Sequence, residues 1–396
     1  MPSPFLQPLI SAEQSRSNDH FSLDASTFPV AVDTSWSVRH YTLRGGLQEG
    51  VEVVEIDNGR LRFAVLPTRG MGIWRGEDRG VRLGWDSPVR HPVHPAFVNL
   101  QERGGLGWLR GFNEWIVRCG LSSMGAPGTD AMRDNNGNPA EETLTLHGKI
   151  ANLPARTVDL EVTEREIILR GEVEETMLFG PALRLHTEIR TAFNSSALSI
   201  EDTVTNLESQ PAEHQLLYHI NYGPPLLEAG SRFACPFRRM APRDARAAEG
   251  VADYPHFGAP ESGFVEQCYY FEPAGHPGTG ETLALLRNAS GERGSAVRYG
   301  VGDFPCFALW KNTGSLEDGY VTGLEPATAF PNARQFEREQ GRVLTLAAGE
   351  TRRTRLRVES LATVAEVQAV EAEIADLQGT VEPELHARPI PQFSRS

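Results

Sequence analysis

Between Leu183 and Phe193 the chain alternates without a break. Leu183, Leu185, Thr187, Ile189, Thr191 and Phe193 fall on one side of an extended backbone, and Arg184, His186, Glu188 and Arg190 on the other. Residues two apart share a face only in a strand, and one apolar and one charged face fit an antiparallel sheet buried on one side. The same reading extends over residues 155–206, with Ala197–Val204 as the next strand after an Asn194-Ser195-Ser196 turn. Val51–Ile56 and Leu61–Leu66 form a hairpin through Asp57-Asn58-Gly59, where Asn-Gly supplies the positive φ values of a tight turn. A helical spacing stands out near the C-terminus, at Val367, Val370, Ile374 and Leu377. Thr363 and Glu366 form its capping box and Gly379 its stop. These patterns predict an all-β protein with few short helices and one C-terminal helix.

The 38 Gly and 27 Pro are spread along the chain, which favours many short elements joined by turns over a linker between domains. The expected organisation is an irregular N-terminal arm over residues 1–50, including the apolar run Phe28–Val32. A single β body follows over 51–361, then a helix and a polar tail over 362–396.

A formal net charge of −14 disfavours nucleic acid and anionic membrane surfaces as partners. No apolar run of membrane-spanning length and no basic-then-apolar leader is evident, and the four cysteines are far apart. A cytoplasmic protein with reduced thiols is expected. There is no P-loop, no paired-Cys zinc motif and no Gly-rich strand-to-helix loop, so neither cofactor nor metal is expected.

The titratable groups of interest lie on or beside strands. Leu216–Gly223 reads as a strand that sends Leu217, His219 and Asn221 to one face and Tyr218, Ile220 and Tyr222 to the other. An isolated His in such a strand is more often a satisfied core residue than a catalyst. His147 ends a short strand and precedes Gly148, which lets backbone or ligand come close. Glu325 ends an apolar strand just before Pro326, and Pro holds its predecessor extended. Arg69 precedes Gly70-Met71-Gly72, either a ligand approach or a bulge with a surface Arg. The loops of 83–135 carry Trp85, Trp108 and Trp115, which either stack on sugar rings or, more often, pin loops to the body. An imidazole and a carboxylate meeting on one sheet face make a general acid/base pair suited to a hemiacetal.

Several words carry a resemblance: Arg69-Gly70-Met71, Gly107-Trp108-Leu109-Arg110, Leu146-His147-Gly148-Lys149-Ile150, Tyr218-His219-Ile220-Asn221-Tyr222-Gly223, and Gly323-Leu324-Glu325-Pro326-Ala327-Thr328 followed by Pro331-Asn332. In this order, across about residues 50–360, they resemble the galactose mutarotase-like (aldose 1-epimerase) superfamily, in a divergent branch. The resemblance implies a large antiparallel β-supersandwich and a small-molecule carbohydrate as partner. It implies His219 as general acid, Glu325 as general base, His147 as the substrate-orienting His and Arg69 as a contact to sugar hydroxyls. It further implies Asn221, Lys311 and Asn312 as polar contacts. Lys149 stands where the classical enzymes have a second Gly, and their sugar-binding Asp has no match here. The expected activity is anomer interconversion. The alternatives are a carbohydrate-binding protein of the same fold, or a sugar isomerase or lyase using the same pair.

Overall fold

The structure is a computed structural model that describes residues 3–30 and 33–395; Ala31 and Val32 of the Phe28–Val32 run lie outside it. Two large sheets face each other. The first has ten strands and includes Thr157–Val162, Glu166–Thr176, Ala182–Ala192, Ala197–Asn206 and Thr351–Leu361. The second has fourteen strands on its main path or paired to it, centred on Ile116–Leu121, Ala212–Tyr222, Val321–Ala327 and Cys306–Asn312. Large-sheet pairings are antiparallel except at one edge, where Glu384–Leu385 runs parallel to Phe237–Pro242.

The main core lies between the sheets. Leu183, Leu185 and Ile189 of the alternating strand meet Tyr218, Ile220 and Tyr222 there. This is the face division the period-2 pattern predicts. The hairpin through Asn58-Gly59 forms as read, but only Gly59 takes a positive φ, 94°; Asn58 does not. Buried Asn58 closes the loop onto the other sheet by donating from Nδ2 to Thr191 Oγ1 (2.6 Å), Ala192 O and Ser195 O. The helix Val364–Gln378 begins at Thr363, whose hydroxyl accepts from the Glu366 amide, and it buries Val367, Val370, Ile374 and Leu377. Together they cover Leu283, Leu285 and Ala296 of the ten-stranded sheet. No helix among the described residues is long and apolar enough to cross a membrane.

The last residues are less tail-like than their polarity implies. Phe393 is buried, with its ring 4.6 Å from that of Phe330, and Ser394 donates to the carbonyl of Arg243 at 2.6 Å. Burying the Phe393 side chain contributes about 1.5–3 kcal/mol to docking the segment, and Asn332 and Arg342 add hydrogen bonds to the carbonyls of Phe393 and Gln392.

Candidate active site

A second apolar cluster covers the outer face of the fourteen-stranded sheet, the side turned away from the inter-sheet core. It includes Val117, Cys119, Leu217, Ala308 and Ala327. His219 and Glu325 project into this cluster from neighbouring strands. Asn221 pairs with Gly323 and Leu217 with Ala327, a register that sets His219 opposite Glu325. The ladder is interrupted between those pairs, where Pro326 has no N–H to give. Nε2 of His219 lies 3.2 Å from Oε1 of Glu325, and the two side chains are only 5% and 3% exposed. That carboxyl oxygen has no other partner. Gly323 makes the approach possible: a Cβ there would stand 2.7 Å from Oε1 of Glu325 and 2.8 Å from Cε1 of His219.

Hydrogen bonds fix the imidazole tautomers. Asn221 donates from Nδ2 to the carbonyls of Glu114 (3.0 Å) and His219 (3.1 Å), so its Oδ1 is the acceptor for His219 Nδ1–H at 2.6 Å. In the neutral ring, Nε2 is then a bare lone pair aimed at Glu325. His147 donates from Nδ1 to the carbonyl of Met124 at 3.0 Å, leaving its Nε2 as an acceptor as well. His147 holds φ 58° and Gly148 φ 69°, a left-handed corner that turns the imidazole toward His219. The two imidazole rings lie 5.5 Å apart, with Trp108 4.6 Å from His147. Phe112 and Trp310 stand 5.0 and 5.3 Å from His219.

This aromatic cage sets the electrostatics. Burial pushes the Glu325 carboxyl up to about 8; Glu266 adds to the rise and Arg243 opposes it. Burial, helped by His147, pushes His219 well below the usual imidazole range, and burial takes His147 down to about 4. Both shifts within the pair favour its uncharged form, with the proton on Glu325 and the vacant lone pair on His219. Such opposed displacement of two touching groups marks acid/base sites.

Four expected residues converge: His219, Glu325, Asn221 and His147. Three do not. Arg69 is fully enclosed. It donates to Glu114 Oε1 (2.7 Å), Val93 O, Asn152 Oδ1 and Gly111 O, so its donors are committed within the protein. Its link to the pair is indirect, because the carbonyl of the same Glu114 orients Asn221. Lys311 sits one residue past Trp310 and so faces the other way. Its ammonium donates to the carbonyls of Tyr254 (3.0 Å) and His256 (2.6 Å), and burial lowers it to about 8. Asn312, opposite Val321 at the strand end, donates to Gly319 O.

Phe112, Glu266 and Arg243 escape the sequence reading. Glu266 accepts from Trp310 Nε1 (2.7 Å) and from Arg243 Nη2 (2.9 Å), at the edge of the cage. All three lie in irregular stretches without a local pattern, so only the folded chain reveals them. Among the described residues no group of three or more His, Cys, Asp and Glu side chains is arranged to hold a metal. A cavity of about 820 Å³ lies elsewhere, lined by Trp74, Trp85 and Asn113 and by neither member of the pair. Volume marks room and not reactivity.

Known proteins share this fold. The family described as "Domain of unknown function (DUF4432)" matches residues 48–360. A solved structure described as a "putative aldose 1-epimerase" from Klebsiella pneumoniae subsp. pneumoniae is 35% identical. The match covers 98% of this chain and 99% of that one, with a TM-score of 0.91. A galactose mutarotase-like protein from Clostridium acetobutylicum is 13% identical, covers 88% and 100% of the two chains and has a TM-score of 0.59. At that identity it speaks for the fold alone. No curated protein sequence matches significantly. The chain belongs to the DUF4432 family and has the galactose mutarotase-like fold.

Proposed function

We infer that this protein is an aldose 1-epimerase-like enzyme that interconverts the anomers of a sugar through His219 and Glu325. The observation that carries the reading is the 3.2 Å separation of Nε2 and Oε1 in a buried aromatic cage. In a cyclic sugar the ring oxygen and the anomeric hydroxyl share one carbon, so an acid and a base acting on both must stand side by side. Glycoside hydrolysis instead needs its two carboxyl groups about 5–9.5 Å apart.

Ring opening follows from the resting proton. Glu325 gives its proton to the ring oxygen while His219 Nε2 takes the proton of the anomeric hydroxyl. The bond between the anomeric carbon and the ring oxygen breaks and the aldehyde forms. The pair is now imidazolium and carboxylate; in ring opening these roles are the reverse of those the resemblance implies, His219 as acid and Glu325 as base, because burial favours the resting proton on Glu325. The aldehyde carbon rotates, and closure on its other face reverses both transfers and returns the proton to Glu325. Asn221 holds His219 in the tautomer this requires, and Nε2 of His147 accepts a sugar hydroxyl. Trp108, Phe112 and Trp310 exclude water, which strengthens each electrostatic contact.

Anomer interconversion followed by polarimetry or proton NMR, over aldoses and acidic sugars, tests the reading. Glu325→Gln and His219→Asn should each lower kcat by roughly 10² or more. Sugar binding without acceleration of its mutarotation would leave a carbohydrate-binding protein and remove the enzyme.

A further inference from the structure

A cavity of about 820 Å³ opens on the same outer face of the fourteen-stranded sheet as the His219–Glu325 pair. Its size falls in the range of about 300–1,000 Å³ typical of small-molecule sites. A β-bulge shapes it: Ala64 pairs with Arg75 but Val65 with Ile73, so Trp74 has no residue opposite. Such a bulge re-aims side chains. Here Trp74 and Arg75 lie side by side, with the guanidinium carbon 4.3 Å from the indole centroid. Trp85, also in the lining, is fixed by its own hydrogen bond to the Glu114 carbonyl at 3.1 Å.

The lining charges largely offset one another. Arg75 is paired with Glu55 (3.5 Å) and Arg82 with Asp86 (2.6 Å), while Arg62 holds Asp57 (2.9 Å) just outside. Arg90 makes no ion pair among the described residues. Indole rings in the lining together with planar ion pairs, which offer donors and acceptors at once, suit a neutral polyhydroxy ring and give no field for a polyanion.

The cavity and the reacting pair share a wall. Trp85 lies 5.0 Å from Phe112, and Phe112 lies 5.0 Å from His219. Asn113 lines the cavity, while its neighbours Phe112 and Glu114 touch His219 and Asn221. We propose that the cavity walled by Trp74, Arg75, Trp85 and Arg90 is a second saccharide-binding site, which holds a further ring of a substrate larger than a monosaccharide. The proposal rests on the assignment of the His219–Glu325 pair to a sugar.

The test is binding of three neutral reducing disaccharides (lactose, maltose, cellobiose) against galactose and glucose, by calorimetry and saturation-transfer NMR. At least one disaccharide should bind roughly tenfold or more tightly than either monosaccharide, the scale of one added aromatic contact with its hydrogen bonds. Trp74→Ala and, separately, Arg90→Ala should shrink that advantage severalfold, with monosaccharide affinity unchanged. Arg90 is exposed, so its variant keeps the test valid if Trp74→Ala fails to fold. Disaccharides that bind no better than monosaccharides, or an advantage that survives both variants, overturn the proposal. Disaccharide binding that depends on Trp74 and Arg90 without any mutarotation sinks the enzyme reading alone and leaves this site standing.

Discussion

Gly323→Ala is a severe test of the paired-group reading, because it adds one methyl group and removes nothing. The new Cβ would meet Glu325 Oε1 at 2.7 Å, His219 Cε1 at 2.8 Å and His219 Nδ1 at 3.1 Å, all inside the 3.4–4 Å of ordinary contact. Gly323 is not among the positive-φ glycines, so alanine meets no backbone penalty there and the whole effect is steric. Relief requires Glu325, His219 or the strand to move. Overpacking of this kind costs about 1–3 kcal/mol. In a chain of 396 residues, with an unfolding entropy of about 2.1 cal/mol/K per residue, that corresponds to a fall in Tm of about 1–4 °C. The larger effect is on rate, since a misplacement of about 1 Å at reacting groups costs on the order of 10²-fold. The assay pairs polarimetric mutarotation rates with thermal unfolding of the same sample. A variant with a rate within about threefold of wild type and an unchanged Tm would refute the claim that these two side chains must touch across Gly323.

Further expectations rest on the other contacts. The rate should fall as pH rises past about 8, where Glu325 gives up the proton that starts ring opening; a rate still flat well above that pH would remove the protonated carboxyl from the mechanism. The same group affects stability. Folded Glu325 keeps its proton up to about 8, whereas the unfolded side chain releases it near 4.5, so through this group stability declines as pH climbs between those values. Urea unfolding of Glu325→Gln should therefore gain on wild type as pH rises from 5 to 8, and a constant difference would contradict the raised value. Arg69→Met leaves Glu114 charged, buried and unpaired, a loss of about 3–5 kcal/mol; the double variant with Glu114→Gln should recover part of it by denaturant titration. Lys311→Met should keep the mutarotation rate within about twofold while lowering Tm, because its ammonium holds the 254–256 carbonyls; a collapse in rate would return Lys311 to the site.

Local pattern was enough for the elements that obey a period. The alternation of 183–193, the Asn58-Gly59 hairpin and the capped helix at 364–378 are each written within about a dozen residues, and each appears as read. The division of 216–222 into a site face and a core face was legible for the same reason. The tail was misjudged because composition does not reveal that a lone Phe393 finds the ring of Phe330.

The sequence by itself determined the all-β class, the face on which His219 and Asn221 stand and, through the family words, the partners His147 and Glu325. Side-chain alternation and turn chemistry are local properties of the backbone, and the words were contiguous. Only the tertiary structure decided who touches whom. Register brings residues 219 and 325 to 3.2 Å, and the absent Cβ of Gly323 lets them meet. The aromatic cage moves the proton onto the carboxyl. Arg69 and Lys311 looked like ligand contacts in sequence, yet folding surrounds both with protein acceptors. A buried cation must find its acceptors nearby, and which acceptors are nearby is set by packing between segments far apart in the chain.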